Sequence, residues 1–366
     1  MSIHSDPGQR LPSNKVDETR PVRDGEEFDA QRLENYLRSA IDCPEGSITV
    51  KQFPAGSSNL TYLVSFHETE YVLRRPPFGN TVRSAHDMAR EFEALTKLSS
   101  VYSQAPRPLH FCHDPSIIGS EFYLMERRSG LVIRGRAPAA LEASLPLQRS
   151  VCESFIQNLA ALHALDYNAA GLGDLGRPEG YVRRQVDGWT KRYFAAKTHE
   201  LPELEKAVKW LGQHIPSETG AALIHNDYKF DNLMLDPADL TKITAVLDWE
   251  MVTIGDPLMD LGTTLGYWMS SDVGDEMLNM PFNPRVLMVN ITRSELASMY
   301  AEASGRDVSN ILFYYIFGTF KIAVIAQQIY LRYARGSTAD SRFERFDLFV
   351  AALGRIALAA IDRGSV

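Results

Sequence analysis

The sequence predicts an α+β fold in two lobes, a small antiparallel sheet followed by a larger, mostly helical part. Three observations carry this. Strand-like apolar runs cluster between Ile48 and Glu126 around one helical stretch. From about residue 147 onward apolar residues recur at helical spacing. The chain's 366 residues also exceed what a single core usually organises.

Residues 1–26 are polar and rich in Pro, Asp and Arg, which predicts a flexible tail. The first lobe is expected over residues 27–127. Phe28, Leu33, Tyr36, Leu37 and Ile41 mark a helix over residues 27–42. Ile48-Thr49-Val50, Leu60 to Phe66 and Tyr71 to Arg75 read as strands, the last ended by Pro76-Pro77. A helix from Ser84 to Ser99 puts Met88, Phe92, Leu95 and Leu98 on one face, and Pro106 and Pro108 follow it. His110-Phe111-Cys112-His113 lacks a second ligand pair at metal spacing and reads as a strand end and turn. Phe122 to Glu126 is a further strand. The charged, Gly-containing segment Glu126–Gly135 suits a hinge, which makes residues 128–366 the second lobe.

In that lobe, residues 147–166, 181–199 and 204–215 carry helical patterns, and the chain is helical in pattern beyond Pro257. His163 reads as a packed helix histidine. The apolar run Ile311–Ile329 is long enough to suggest a membrane span, but Lys321, Gln327 and Gln328 interrupt it, so a buried core helix is expected.

Composition narrows the function. A net charge of −8 argues against general binding to nucleic acid or membrane surfaces. Cys43, Cys112 and Cys152 form no C-x-x-C and are odd in number, so no disulfide scaffold is expected. With no apolar segment at the N-terminus, a cytoplasmic protein is expected.

The chemistry concentrates at His225-Asn226-Asp227-Tyr228-Lys229-Phe230-Asp231-Asn232. An apolar strand, Ile243 to Leu247, then delivers Asp248-Trp249-Glu250, and Gly255-Asp256-Pro257 follows. The His, the first Asp, the Asn and the later Asp stand at the spacing of the kinase catalytic loop and its metal-binding Asp. Phosphoryl transfer depends mainly on positioning and charge neutralisation. Asp227 is placed to take the proton of an attacking hydroxyl, and Lys229 to steady the moving phosphate. Asn232 and Asp248 offer the oxygen ligands that Mg²⁺ prefers. The pattern reads as an ATP-dependent kinase. Gly56-Ser57-Ser58-Asn59, between two strands, could cover the phosphates with backbone N–H groups. Arg74 ends the third strand, where kinases carry a Lys, with Glu91 as its helix partner and Arg75 as a competing candidate. Asp256 before Pro257 reads as a helix N-cap, and Asp260 as a support of the loop.

Over about residues 45–335 the chain resembles the aminoglycoside phosphotransferase family, the choline/aminoglycoside kinases. The resemblance rests on Gly56-x-x-Asn59, Arg74, Glu91, His225-x-Asp227-x4-Asn232, Asp248-Trp249-Glu250 and Gly255-Asp256-Pro257-x-x-Asp260-Leu261. It implies a protein-kinase-like fold, ATP with Mg²⁺, a small-molecule hydroxyl as acceptor, and adenine at the backbone near Met125–Arg127. It also implies that Asp260 braces the catalytic loop. Asp-Trp-Glu stands where protein kinases have Asp-Phe-Gly.

Ser84-Ala85-His86-x3-Arg90-Glu91, Tyr181-x-x-Arg184-Gln185-x3-Trp189 and Leu247 to Pro257 resemble one branch of that family, the kinase-like domain fused to some animal acyl-CoA dehydrogenases. That branch implies a hydroxyacyl-CoA acceptor from 4-hydroxy acid catabolism. Arg183, Arg184, Lys191, Arg192 and Lys197, set against Asp187 alone, could meet CoA phosphates, whereas polycationic aminoglycosides need an acidic cleft. Two other readings remain open. One is an aminoglycoside or choline-type kinase. The other is a pseudokinase regulating a dehydrogenase partner, which the single-glycine loop and Arg74 favour and the intact Asp227, Asn232 and Asp248 oppose.

Overall fold

Strand β2 (Leu60–Phe66) shows how the small sheet is built. Leu60, Tyr62, Val64 and Phe66 turn to one core and Leu63 to another, as a period of two dictates when both faces are covered. The computed structural model describes residues 19–42, 44–53, 59–77, 87–135, 137–274, 277, 284–336 and 343–366. In it β1 (Ile48–Gln52), β2, β3 (Thr69–Arg75), β4 (Pro108–Cys112) and β5 (Phe122–Glu126) form one antiparallel sheet in the order β1-β2-β3-β5-β4. Helix α1 (Ala30–Ala40), N-capped by Asp29, lays Leu33 and Leu37 on one face. Helix α2 (Met88–Leu98), N-capped by Asp87, packs on β4 and β5 from the other face. It begins later than expected, and Ser84–His86 lie outside the described residues.

The expected tail over residues 1–26 needs correction. Residues 1–18 lie outside the described residues, but Arg20 pairs with Gln52 through two backbone hydrogen bonds of 2.8 Å. Tyr62 Oη donates to Glu26 O at 2.8 Å. β1 is the sheet's edge, and its open N–H and C=O groups hold this mostly polar segment, with Val22 packed against the core beside it.

The helical part begins with α3 (Ala139–Glu142), α4 (Leu145–His163), α5 (Tyr181–Ala196) and α6 (Pro202–Gln213). Four short strands follow. β6 (Ala222–Ile224) pairs with β9 (Thr253–Gly255), and β7 (Leu233–Leu235) pairs with β8 (Ile243–Val246). Among the described residues, helices α7 (Pro257–Tyr267), α8 (Arg285–Met288), α9 (Arg293–Ser304), α10 (Ile311–Ala334) and α11 (Phe346–Arg363) follow. Helix α10 holds the apolar run. It is long and apolar enough to cross a membrane, yet 78% of its most apolar window is buried inside the molecule, which makes it a core helix here. It packs on α7 and α11. Gly262 and Gly318 face each other at the α7–α10 crossing, and a Cβ at either would collide with the other helix's backbone.

Candidate active site

The two strand pairs fix the site. The β6–β7 loop carries His225 to Asn232, and the β8–β9 loop carries Asp248. The loops are tied directly: Leu247 N donates to Asn232 O at 2.7 Å, and His225 Nε2 donates to Leu247 O at 2.9 Å. Asp227 N donates to His225 Nδ1 at 3.2 Å, which sets that tautomer.

Asn226 and Asp248 both sit at φ 68°, the left-handed region that Asn and Asp enter more readily than other side chains. The first of these turns is held from behind. Asp260, fully buried on α7, accepts from His225 N at 2.7 Å and from Asn226 N at 2.8 Å. His163 of α4 bridges Asp260 (3.1 Å) and Tyr300 (2.7 Å). Lys321 Nζ of α10 donates to Asn226 O at 2.6 Å. Burial pushes the Asp260 carboxyl up, but the His163 hydrogen bond, His225 and its backbone N–H outweigh it and hold the group below its ordinary value. Burial depresses the Lys321 ammonium to about 8.

Asp227 is partly exposed at the centre of this frame. Its carboxylate accepts from Tyr267 Oη (2.8 Å), Asn232 Nδ2 (2.8 Å) and Lys229 Nζ (2.9 Å). Removal from water raises its pKa, but the Lys229 charge and these bonds bring it below the usual carboxylate range. Asp227 is therefore ionised at neutral pH and able to take a proton. The Lys229 ammonium loses hydration, yet its pKa is raised by the Asp227 charge.

Across from it, alternation along β3 sends Arg74 to the α2 face and Arg75 to the α1 face. Arg75 Nη1 donates to Ile118 O, so it is not the phosphate candidate. Arg74 Nη1 lies 3.3 Å from Glu91, and Nη2 lies 3.0 Å from Asp248 and 3.8 Å from Glu250. Burial raises the Glu91 carboxyl, and Arg74 offsets only part of this. Asn59 Nδ2 donates to Glu250 Oε2 at 2.8 Å, so this end of the expected phosphate loop meets the Asp-Trp-Glu segment. Gly56, Ser57 and Ser58 lie outside the described residues. Met125 lies buried on β5, and Arg127 stacks over Phe53 at 4.9 Å.

The donor set fits Mg²⁺. Asn232 makes its side-chain bonds to Asp227 through Nδ2, which leaves the Oδ1 lone pairs for a cation. Asp248 receives Arg74 on Oδ1 and is about one-third exposed, so Oδ2 can take a metal. One amide and one carboxylate oxygen are what a cation that keeps several waters and phosphate oxygens requires of a protein. Among the described residues no cluster of three or more His, Cys, Asp or Glu forms a denser metal site.

Sequence reasoning passed over Tyr267, and noted Lys321 only as an interruption of an apolar run. It also left Arg90 without a role. Arg90 Nη2 donates to Leu175 O (3.2 Å) and to Val252 O, pinning the β8–β9 loop to α2. The basic stretch on α5 divides. Arg184 caps the carbonyls of Arg177 and Glu179, and Lys197 pairs with Glu200 and Glu205. Arg183, Lys191 and Arg192 are exposed, and Arg192 lies 4.5 Å over the ring of Trp189, whose centroid is 5.7 Å from Lys321 Nζ.

A family model described as "Phosphotransferase enzyme family" matches residues 49–281. The chain is 35% identical over 335 residues to acyl-CoA dehydrogenase family member 11 of Gallus gallus, an alignment covering 89% of this chain and 43% of that protein. It therefore spans less than half the length of that relative. A crystal structure from Ralstonia eutropha, assigned as an aminoglycoside phosphotransferase, superposes with a TM-score of 0.73 at 30% identity, covering 91% of this chain and 99% of the other. Spectinomycin phosphotransferase, solved with ADP and spectinomycin, superposes at 0.59 with 14% identity over 90% of this chain and 98% of its own, a likeness of fold. The architecture is the α+β kinase-like one.

Proposed function

Because the chain belongs to the phosphotransferase enzyme family, we propose that it moves the γ-phosphoryl group of MgATP to the hydroxyl of a hydroxyacyl-CoA. One observation carries the reading: an ionised, partly exposed Asp227, held by Lys229, Tyr267 and Asn232, beside the oxygens of Asn232 and Asp248. Asp227 takes the proton as the acceptor oxygen attacks phosphorus, and ADP leaves. Lys229 offsets charge on the transferred group. Asn232 and Asp248 would hold Mg²⁺, which neutralises phosphate charge when bound. Residues 27–127 would cover the nucleotide, with Asn59, Arg74 and Glu91 on its phosphate side and the Met125–Arg127 backbone on adenine. The C-terminal part would present the acceptor.

The CoA ester is favoured by two things. The exposed Arg192 lies over Trp189, which neighbours the Lys321 that holds Asn226 of the catalytic loop, and the 35%-identical relative is named for acyl-CoA chemistry. The test is ATP turnover over hydroxyacyl-CoAs, aminoglycosides and choline, with Asp227→Asn as the control. Turnover with a hydroxyacyl-CoA that is lost in Asp227→Asn while ATP still binds supports the reading. Turnover with choline or kanamycin-like amines alone refutes the acceptor. Turnover kept in the variant refutes the base.

A further inference from the structure

We propose that an apolar pocket lined at one end by the catalytic loop takes the aliphatic tail of the acceptor, and that its depth sets the preferred chain length. This rests on the hydroxyacyl reading and adds to it where the acyl chain lies. The pocket has a volume of about 240 Å³. Its polar end is formed by Lys229, Asp231 and Tyr267, and two of these bond directly to Asp227. The rest of its wall comes from α10, α11 and neighbouring segments, with Ile325, Ala326 and Phe349 among the lining side chains. Thr264 also lines it, but its hydroxyl donates to Tyr228 O at 2.9 Å, so it adds no open polar group.

The lining selects an amphipathic occupant. A hydroxyl at the polar end lies next to the base. Beyond it the walls offer water too few partners, which favours an apolar guest. The Lys229 ammonium sits 4.5 Å over the Tyr267 ring, so that ring face is already taken by a cation. Arg192 of α5 reaches the catalytic loop through Trp189 and Lys321, so a CoA phosphate at Arg192 and a tail in the pocket would both border the loop that carries Asp227. At roughly 30 Å³ per carbon-sized group, the share a water takes in the liquid, about eight carbons fill the cavity. Each buried methylene should tighten binding about fourfold.

The test separates the pocket from the CoA ester. Straight-chain 1-alkanols from butanol to decanol, which carry the hydroxyl and tail but no CoA, are titrated into the intact chain by calorimetry. Affinity should rise about fourfold per carbon and level off near eight. Ala326→Phe should flatten the series, and Ala326→Met, a smaller intrusion, should shorten it by one or two carbons, with thermal unfolding showing that each variant folds. The pocket assignment is overturned if affinity ignores chain length, if neither variant alters the series, or if choline binds more tightly than its neutral isostere 3,3-dimethylbutan-1-ol. Alkanol binding as described, without turnover of any hydroxyacyl-CoA, supports the pocket and removes the CoA ester. Hydroxyacyl-CoA turnover that ignores tail length removes the pocket and leaves the acceptor standing.

Discussion

Asp260 offers the sharpest test of how the catalytic loop is held. Its carboxylate is buried and accepts from two backbone N–H groups and from His163. Asp260→Ala leaves those two N–H groups buried without an acceptor, at about 1–3 kcal/mol each, so a loss of roughly 2–6 kcal/mol is expected. Asp260→Asn keeps the volume and one acceptor oxygen, but turns an NH₂ toward the other donor, so about half that loss is expected. The pH dependence has a definite sign. The folded-state pKa is depressed, so the carboxylate's contribution is complete above its ordinary value and is lost as pH falls through the folded value. Urea unfolding of parent and Asn variant should therefore differ by a constant amount from pH 7 to about pH 5, and converge in stronger acid. Loosening the left-handed turn at Asn226 displaces Asp227, and a displacement near 1 Å costs about 10²-fold in turnover. A stability loss below about 0.5 kcal/mol, or one that persists unchanged at pH 2, would refute the idea that this carboxylate holds the loop.

Two further outcomes are expected. Lys321 is buried with an ammonium pKa of about 8, below the unfolded value, so the parent gains stability relative to Lys321→Met as pH rises from 8 to 10.5 and not below 8. The gain is about 3 kcal/mol at most, and thermal unfolding at pH 7 and pH 10 measures it; equal shifts in both proteins would show that Lys321 does not titrate in this window. Asp248→Ala should weaken ATP binding about tenfold or more with Mg²⁺ and little without it, because it removes a metal ligand. Equal losses in paired calorimetric titrations would point to a disturbed fold instead.

The sequence carried the loops but not what stands behind them. Asp227, Asn232 and Asp248 were legible because the chemistry needs them at short, fixed spacings. Arg74 was legible as the residue that follows the apolar run of the third strand, with Arg75 as its competitor. Both faces of the sheet are buried, so alternation says that the two residues diverge and not which face carries α2. Tyr267 and Lys321 reach the catalytic loop from 40 and 95 residues away, and no local pattern announces such contacts. A lone Lys in an apolar helix does signal a buried partner, since an unpaired charge there is costly. The sequence cannot say that the partner is Asn226 O. Similarly, the charge-rich segment before α1 looked unstructured because its attachment runs largely through backbone groups, with Val22 as its one apolar contact between Arg20 and Glu26.

The Arg at position 74 bears on the pseudokinase alternative. A lysine there has one ammonium, which must be shared among its carboxylate partners. Arg74 divides the task, with Nη1 on Glu91 and Nη2 on Asp248, so one side chain ties α2 to the candidate metal ligand across the cleft. The planar fork makes this possible without a change of rotamer. Asn59 and Arg74 also meet on Glu250, which occupies the place of a glycine in the protein-kinase pattern. An added carboxylate at that point calls for additional donors, and a guanidinium supplies more than an ammonium does. The two departures from the kinase pattern are thus physically coupled. Loss of activity explains neither, because Asp227, Asn232 and Asp248 remain in place and mutually oriented through the Leu247–Asn232 hydrogen bond.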